Sequence, residues 1–389
     1  MLPAARGRGA PHLSGRGAES GREVPCGRPS GPSVPLGSKG GVVIPRTTLA
    51  VLVAGLALAP AAWGFHDGGV ATCGGCHVTH NSIDGQQVVP GAGNEFSLKA
   101  GSATDVCLSC HAQSLGAVLS VSPLAPSPEK GAGNFVFLLE NNLNDAPGGA
   151  GAPIGGEAAG HSVVAPAHGL AADSRYPVAP GGTFAASELG CTSCHDPHGR
   201  GSFRMLYGAG PVQAGAAHFG AAAPVADGLA LSPSVSEQRG AHSAYRSGMS
   251  DWCGNCHGRY HESAGSSAFS HPIDAPLSAT VRTQYDLYDG VTNPAGGNPS
   301  TSYLPEVPFE DGTAAVGSTA GPTVSSRLSC LSCHRAHASS APAAGRWDFN
   351  VSTLGADGVE SGSWPIPSPY GDPTQPALCW KCHPGGTGP

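Results

Sequence analysis

The sequence is poor in the residues that usually build a hydrophobic core and in those that carry charge. Aromatic residues make up 6% of its 389 residues and charged residues only 12%. A formal net charge of −7 argues against nucleic acid as a partner. Glycine (59) and proline (36) are abundant, and both disfavour the interiors of helices and strands. Something other than apolar side chains must therefore supply the packing.

Long apolar runs are missing beyond the N-terminal region. The segment Thr47–Ala62 follows Arg46 and ends in small residues, as a secretory signal peptide does, and it is short for a membrane-spanning helix. We therefore expect residues 1–64, an N-terminal extension plus signal peptide, to be removed before Phe65. Because that segment holds seven of the 20 basic and two of the 27 acidic residues, the remaining domain, 65–389, has a formal charge of −12. A secreted product that does not span a membrane is predicted.

Cysteine is plentiful and ordered. Of the 13 cysteines, 12 fall in pairs with two residues between them, and a histidine follows each pair. In chain order, these CxxCH motifs are numbered 1 to 6: Cys73, Cys76 and His77; Cys107, Cys110 and His111; Cys191, Cys194 and His195; Cys253, Cys256 and His257; Cys330, Cys333 and His334; Cys379, Cys382 and His383. Successive motif histidines are 34, 84, 62, 77 and 49 residues apart, so the chain is not a solenoid of fixed period.

CxxCH is the attachment signature of c-type haem. Two thiols bond to the two vinyl groups of one haem, and the histidine that follows is placed to bind the iron from one face. Zinc sites would need these groups gathered in fours, and redox disulfides are not expected six times in one chain. The sequence therefore predicts six covalently bound haem c groups.

The second axial ligand of each iron decides the chemistry. Only Met205 and Met249 remain after cleavage, so Met/His ligation cannot be general. Histidine is in surplus outside the motifs: His66, His80, His161, His168, His198, His218, His242, His261, His271 and His337. With two histidines on every iron, no position is open to a substrate, which predicts an electron-transfer protein and not an enzyme.

Four of these histidines lie just after a motif. His80, His198 and His337 complete the pattern CHxxH, and His261 completes CHxxxH. Each is too close in sequence to reach the far face of its own haem, so each is expected to bind the iron of another haem. Sequence position leaves the role of His66, His161 and His271 open. For His168, His218 and His242, which lie in Ala/Gly-rich loops, an ordinary structural histidine is expected.

Several blocks resemble one family, the extracellular hexahaem cytochrome nanowires, the S-type outer-membrane cytochromes of metal-reducing bacteria. The blocks are 64–82 (GFHDGGVATCGGCHVTHNS), 160–165 (GHSVVA), 189–199 (LGCTSCHDPHG), 248–264 (GMSDWCGNCHGRYHESA), 271–272 (HP), 308–314 (PFEDGTA), 329–339 (SCLSCHRAHAS) and 377–383 (ALCWKCH). They run through the mature chain in this order. The segment 112–160 matches weakly.

The resemblance implies a head-to-tail homopolymer with bis-histidine irons throughout. It implies that His80 binds the haem of Cys330 and Cys333 in the neighbouring subunit, and it adds His66, His161 and His271 to the ligands. Seven candidates then compete for six irons: His66, His80, His161, His198, His261, His271 and His337. A redox donor and an extracellular acceptor are the implied partners. A monomeric periplasmic shuttle and a multihaem reductase of small oxyanions are the alternatives.

The expected fold is mostly coil with few short α-helices and minimal β structure, a single chain wrapped around a multihaem array. Short helices are expected leading into Cys107 and Cys379. The run 134–140 (NFVFLLE) is a candidate strand or buried apolar segment. Haem faces are expected to replace the aromatic core that the composition lacks.

Overall fold

The computed structural model describes most of the chain beyond its N-terminal region. The described residues are 66, 73–112, 118–122, 130–140, 159–199, 201–211, 217–232, 234–262, 271–290, 297–313, 315–359, 364–372 and 374–383, without the side chains of 211, 261, 262 and 315. The extension and signal peptide predicted over 1–64 lie outside them, as does the start of the mature domain. Every described residue belongs to one compact unit, Gly55–Pro389.

Helices are short and are built around the motifs. Within the described residues they are α1 (Cys73–Cys76), α2 (Ala103–His111), α3 (Met249–Gly254), α4 (Gly258–Glu262) and α5 (Ala279–Leu287). The two longest begin at serine caps, because the Ser102 hydroxyl accepts the amide of Asp105 and that of Ser278 accepts the amide of Val281. None of these helices is long and apolar enough to cross a bilayer.

Sheet structure in the described ranges is limited to three antiparallel hairpins. They pair β1 (Ser82–Ile83) with β2 (Gln86–Gln87), β3 (Gly210–Pro211) with β4 (His218–Phe219), and β5 (Val225–Leu229) with β6 (His242–Ser247). In the longest hairpin Leu229 lies opposite His242, and the register shifts between Val225 and Ala226. The prediction of a mostly coil chain with few short helices and little sheet is confirmed.

Single turns of 3-10 helix open motifs 3, 5 and 6, at Cys191–Ser193, Cys330–Ser332 and Leu378–Lys381. In motif 3 the Gly190 amide donates to the Ser193 hydroxyl at 3.0 Å, and in motif 5 the Ser329 amide donates to the Ser332 hydroxyl at 3.1 Å. These hydroxyls satisfy amides that have no partner at the start of a turn. The helices expected before Cys107 and Cys379 are therefore present, the second only as a 3-10 turn.

The protein does contain an aromatic core. This corrects the expectation that haem faces replace such a core. The largest cluster of buried apolar residues lies in the C-terminal third and is centred on Tyr285, Tyr288, Tyr303, Phe309 and Trp347. A second cluster includes the run 134–140, which forms a buried 3-10 segment, Phe135–Leu139, and not a strand. Few aromatic residues are sufficient for this core because several of them pack directly against one another.

Candidate haem-binding sites

Each motif folds as one tight turn. The backbone amide of the motif histidine donates to the carbonyl of the first cysteine at 2.9–3.1 Å in five of the motifs: His77 to Cys73, His195 to Cys191, His257 to Cys253, His334 to Cys330 and His383 to Cys379. In motif 2 both residues lie within α2. One helical turn therefore brings the two thiols and the imidazole of every motif together, as attachment of one c-type haem requires.

The six motifs share one sequence pattern but differ in secondary structure, and motif 2, with Cys110, lies within the longest helix among them. In motifs 3, 5 and 6 the second cysteine ends a 3-10 turn, at Cys194, Cys333 and Cys382. Cys110 instead lies inside the longer helix α2, where its i, i+3 spacing from Cys107 keeps both thiols on one helix face. The Ser109 hydroxyl lies 3.9 Å from the Cys110 sulfur and so reaches the half-buried thiol from the neighbouring position. The role of Cys110 in attachment stays a prediction.

Four motif histidines are held by a backbone carbonyl. The ring Nδ1 lies 2.8–2.9 Å from a carbonyl oxygen in each case, and the pairs are His77 with Phe96, His195 with Arg204, His257 with Pro180 and His334 with Ala343. A hydrogen bond from Nδ1 fixes the tautomer and leaves the lone pair of Nε2 free for a metal. This donor set fits haem iron. The four acceptors were not predicted, because a backbone carbonyl leaves no mark in the sequence.

Ten histidines form five facing pairs. The ring centroids are 5.9–6.4 Å apart in His66–His111, His77–His198, His161–His257, His195–His337 and His271–His383. Two metal–imidazole bonds of about 2.1 Å each, together with half of each ring, span such a distance. Every pair joins one motif histidine to one candidate that the sequence proposed as a distal ligand.

The pairs follow a rule that the sequence did not reveal. The second histidine of a CHxxH pattern faces the motif histidine two motifs earlier, since His198 of motif 3 faces His77 of motif 1, and His337 of motif 5 faces His195 of motif 3. The histidines of motifs 2, 4 and 6 face histidines that precede motifs 1, 3 and 5 in the sequence, namely His66, His161 and His271. The chain thus repeats the pattern H…CxxCHxxH…CxxCH three times.

His334 of motif 5 and His80, which follows motif 1, both stand outside the five pairs. Among the histidine side chains that the structure describes, none faces His334, whose nearest described aromatic ring is Phe349 at 5.5 Å. His80 is exposed, and its backbone is left-handed with φ of 63°. By the same rule, His80 would face the histidine of a motif two steps before motif 1, and residues 1–72 contain no CxxCH. The side chain of His261 lies outside the description.

The remaining histidines are accounted for by ordinary contacts. The two ring nitrogens of buried His242 lie 2.8 and 3.0 Å from the carbonyl oxygens of Val316 and Arg239. His168 lies 3.3 Å from the Asp105 carboxylate, and His218 is exposed on β4. The five-pair arrangement uses none of them, in agreement with the sequence-based expectation.

Burial lowers the pKa of five of the paired imidazoles and so favours their neutral form, which is the form that binds a metal; these are His111, His161, His195, His271 and His337. Desolvation, with a smaller contribution from His195, lowers the pKa of His337 to about 3. Burial likewise lowers the pKa of His161 and His195. Two of the candidate distal rings are also held at Nδ1, His66 by the Pro197 carbonyl at 3.0 Å and His161 by the Ala336 carbonyl at 2.7 Å.

Successive motifs touch through their cysteines. Contact with the Cys191 thiol, followed by burial, raises the pKa of the Cys107 thiol, so motifs 2 and 3 meet at their attachment edges. The Cys191 amide also donates to the Thr104 hydroxyl at 3.2 Å. Motifs 4 and 5 repeat the contact, because the Cys330 amide donates to the hydroxyl of Ser250 at 3.1 Å. Groups attached at these edges would be close neighbours, as electron transfer needs.

Motifs 1 and 2 are also neighbours, and Cys110 faces this side. Burial, and after it the Cys107 and Cys110 thiols, raise the pKa of the Cys76 thiol. Burial, and after it Cys256, raise the pKa of the Cys194 thiol to about 12, which brings motifs 3 and 4 together as well. The thiols of motifs 1 to 4 therefore follow one another in space in the order of the sequence.

Comparison with known proteins agrees with this geometry. No family model matches the chain. The chain is 30% identical to the C-type cytochrome OmcS of Geobacter sulfurreducens, over 87% of the chain and 98% of that protein. It is also similar to two solved structures, the OmcS nanowires (27% identity, TM-score 0.65) and the Outer Membrane Cytochrome S filament (26% identity, TM-score 0.69), both of Geobacter sulfurreducens. Each of these matches covers 83% of the chain and all of the solved chain. With its repeated CxxCH motifs and paired histidines, the chain therefore belongs to the family of the C-type cytochrome OmcS and carries covalently bound haem c.

Proposed function

We propose that this chain conducts electrons outside the cell as a filament of head-to-tail copies, each with six haem c groups. The observation that carries the proposal is that His334 and exposed His80 face no other histidine among the side chains that the structure describes. Five histidine pairs form within one chain, and the sixth pair would form between His334 of one copy and His80 of a second copy. The likeness to two filament structures supports the same assembly.

The proposed sites follow from the pairs. Both cysteines of every motif form the thioether bonds, Cys107 and Cys110 in α2 included, and the motif histidine binds the iron from one face. The opposite face is taken, from motif 1 to motif 6, by His198, His66, His337, His161, His80 of the partner copy, and His271. His261 is left without an iron. Six of the seven candidates are thereby assigned, and His80 makes the one coordination bond that crosses between copies.

The polypeptide orients the imidazole ligands and excludes other molecules from the iron. Bound haem supplies one-electron exchange at the iron. Paired imidazoles would supply two ligands to each iron, which would leave no position for a substrate molecule or water. The carbonyls of Phe96, Pro180, Arg204 and Ala343 hold the motif rings in place, and the contacts between motifs 2 and 3 and between motifs 4 and 5 keep neighbouring groups close.

The product is secreted after removal of residues 1–64, and 65–389 forms the cytochrome domain. Electrons enter from a periplasmic or outer-membrane donor and leave to an extracellular acceptor. A reductase would need an iron with an open position or a lysine ligand. Lys381, inside motif 6, is buried and donates to the Tyr288 carbonyl and the Tyr370 hydroxyl, both at 2.9 Å, so its amine is engaged by the protein.

The test removes the crossing bond. His80→Ala should give dispersed monomers, each with one high-spin haem that binds carbon monoxide, because the iron of motif 5 then has one free position. His218→Ala, which removes another exposed histidine, should form filaments that bind almost no carbon monoxide. Electron cryomicroscopy shows the assembly, and visible and electron paramagnetic resonance spectra count the high-spin irons.

Two outcomes would contradict the proposal. One is a His80→Ala protein that still polymerises with every iron low-spin. The other is a wild-type protein that stays monomeric with six saturated irons, which would indicate the soluble shuttle. Turnover of a small oxyanion by pure protein would indicate the reductase.

A further inference from the structure

The carbonyls that hold the four motif histidines share an unusual backbone. The residue after each accepting carbonyl has a positive φ, between 52° and 73°: Ser97, Gly181, Met205 and Ala344. Three of these four residues are not glycine. These segments come from different parts of the chain and have unrelated sequences, FS, PG, RM and AA. A conformation that recurs at four equivalent places has a common cause.

The left-handed residue gives a second bond to the same motif. Its own carbonyl accepts a backbone amide one or two residues after the motif histidine: Val78 to Ser97 at 2.7 Å, Asp196 to Met205 at 2.9 Å, Arg335 to Ala344 at 2.7 Å, and Arg259 to Gly181 at 2.9 Å. Two successive carbonyls therefore accept hydrogen bonds from one motif, the first from the ring Nδ1 and the second from a backbone amide. In an extended strand successive carbonyls point to opposite sides, so a reversal between them is required.

The reversal has an energetic cost. A left-handed conformation is unfavourable for a residue other than glycine, and strain of this kind persists where the surrounding structure imposes it, often at functional sites. In motifs 3 and 5 the residue that carries the accepting carbonyl is left-handed too, at Arg204 and Ala343. Strain at two consecutive residues next to the same imidazole indicates that the structure requires the carbonyl to lie at the ring Nδ1.

We propose that Ser97, Gly181, Met205 and Ala344 are positioning residues that set the reduction potentials of four haems. The inference rests on the proposed haem attachment. By turning the preceding carbonyl onto Nδ1–H, each residue increases the electron density at Nε2, and a more basic ligand favours the ferric state. The haems of motifs 1, 3, 4 and 5 are therefore held at lower potentials than the same haems without this hydrogen bond.

Ser97 offers the cleanest test, because its side chain is exposed and a substitution there displaces no core. Ser97→Pro fixes φ near −65° and cannot adopt the native conformation. Ser97→Val keeps the amide, which donates to the Asn94 carbonyl at 3.0 Å, but strongly disfavours positive φ. Ser97→Gly adopts the native conformation without strain and is the matched control.

Full-length variants should first be shown to carry the wild-type number of haems per chain, which separates a failure of attachment from a failure of this inference. In a spectroelectrochemical titration, one haem per chain should titrate at a more positive potential in Ser97→Pro and Ser97→Val. The low-spin resonance of one haem should shift with it. Ser97→Gly should overlay the wild type.

A merely structural turn would lower stability and leave every potential in place. Haem-loaded Ser97→Val with the potentials and resonances of the wild type would therefore overturn the inference. If the proline variant does not mature, the valine variant decides alone, since it retains the amide and lies at an exposed position.

Discussion

Glu310 should make the protein less stable as the pH rises. Its side chain is 2% exposed, accepts the Met249 amide at 2.8 Å and lies in the block 308–314 that carries the family resemblance. Desolvation raises the pKa of this carboxyl from 4.5 to about 7, although the Met249 amide opposes the shift. Between these two values the folded protein holds a proton that the unfolded chain has released.

The sign and the size follow from proton linkage. The stability that the protonated carboxyl contributes is complete below pH 4.5 and is lost as the pH rises to about 7. Between pH 5.5 and pH 8.5 the loss amounts to about 2 kcal/mol, at roughly 1.4 kcal/mol for each pH unit over which the proton is bound differently. Glu310→Gln keeps an acceptor for the Met249 amide and removes this dependence.

The assay compares guanidinium unfolding of the haem-loaded variant and wild type at both pH values, followed by circular dichroism in the Soret band. The stability of Glu310→Gln relative to wild type should rise by about 2 kcal/mol from pH 5.5 to pH 8.5. Subtraction removes the contribution of the histidine ligands, which both proteins share. Glu188→Gln, at an exposed carboxylate, controls for the loss of charge. An equal difference at both pH values would refute the reasoning.

Two further predictions use matched pairs. Tyr285→Phe should cost about 1–3 kcal/mol in thermal or denaturant unfolding, because its hydroxyl donates to the Val307 carbonyl at 2.8 Å and accepts the Leu304 amide at 3.0 Å. Tyr303→Phe should be neutral or stabilising, since its buried hydroxyl has no hydrogen-bond partner among the described residues; equal losses would contradict this. Gly182→Ala should cost about 3 kcal/mol, because a methyl group there collides with the Cys256 carbonyl, while Gly201→Ala, which meets nothing within 4 Å, should unfold like the wild type.

The attachment sites could be predicted from the sequence because their signal is local. Two cysteines and a histidine within five residues define each site, and one turn of backbone assembles it. The pattern did not show that Cys110 lies within a longer helix while Cys194 ends a 3-10 turn, because the flanking residues decide this. The coil-rich fold class follows from composition. The composition shows that aromatic residues are few, but it cannot show that several of them cluster around Tyr303 and Trp347.

The pairing of histidines could not be read from the sequence, because it depends on contacts between distant segments. His271 reaches His383 across 112 residues, and no local pattern links the two. The CHxxH spacing excluded the histidine's own haem but did not show that His198 reaches two motifs back. The backbone reversal at Met205 was also hidden, since methionine has no preference for positive φ.

The threefold pattern H…CxxCHxxH…CxxCH has a consequence for where one polypeptide stops. Each module, meaning one repeat of this pattern, would take one ligand from the module that follows it and give one to the module before it, so the proposed boundary between copies resembles the boundary between modules within a chain. The proposed pattern of ligand donation repeats once per module. It does not depend on whether two successive modules belong to the same polypeptide. A tandem fusion of two copies, or a chain shortened by one module, would preserve that regularity.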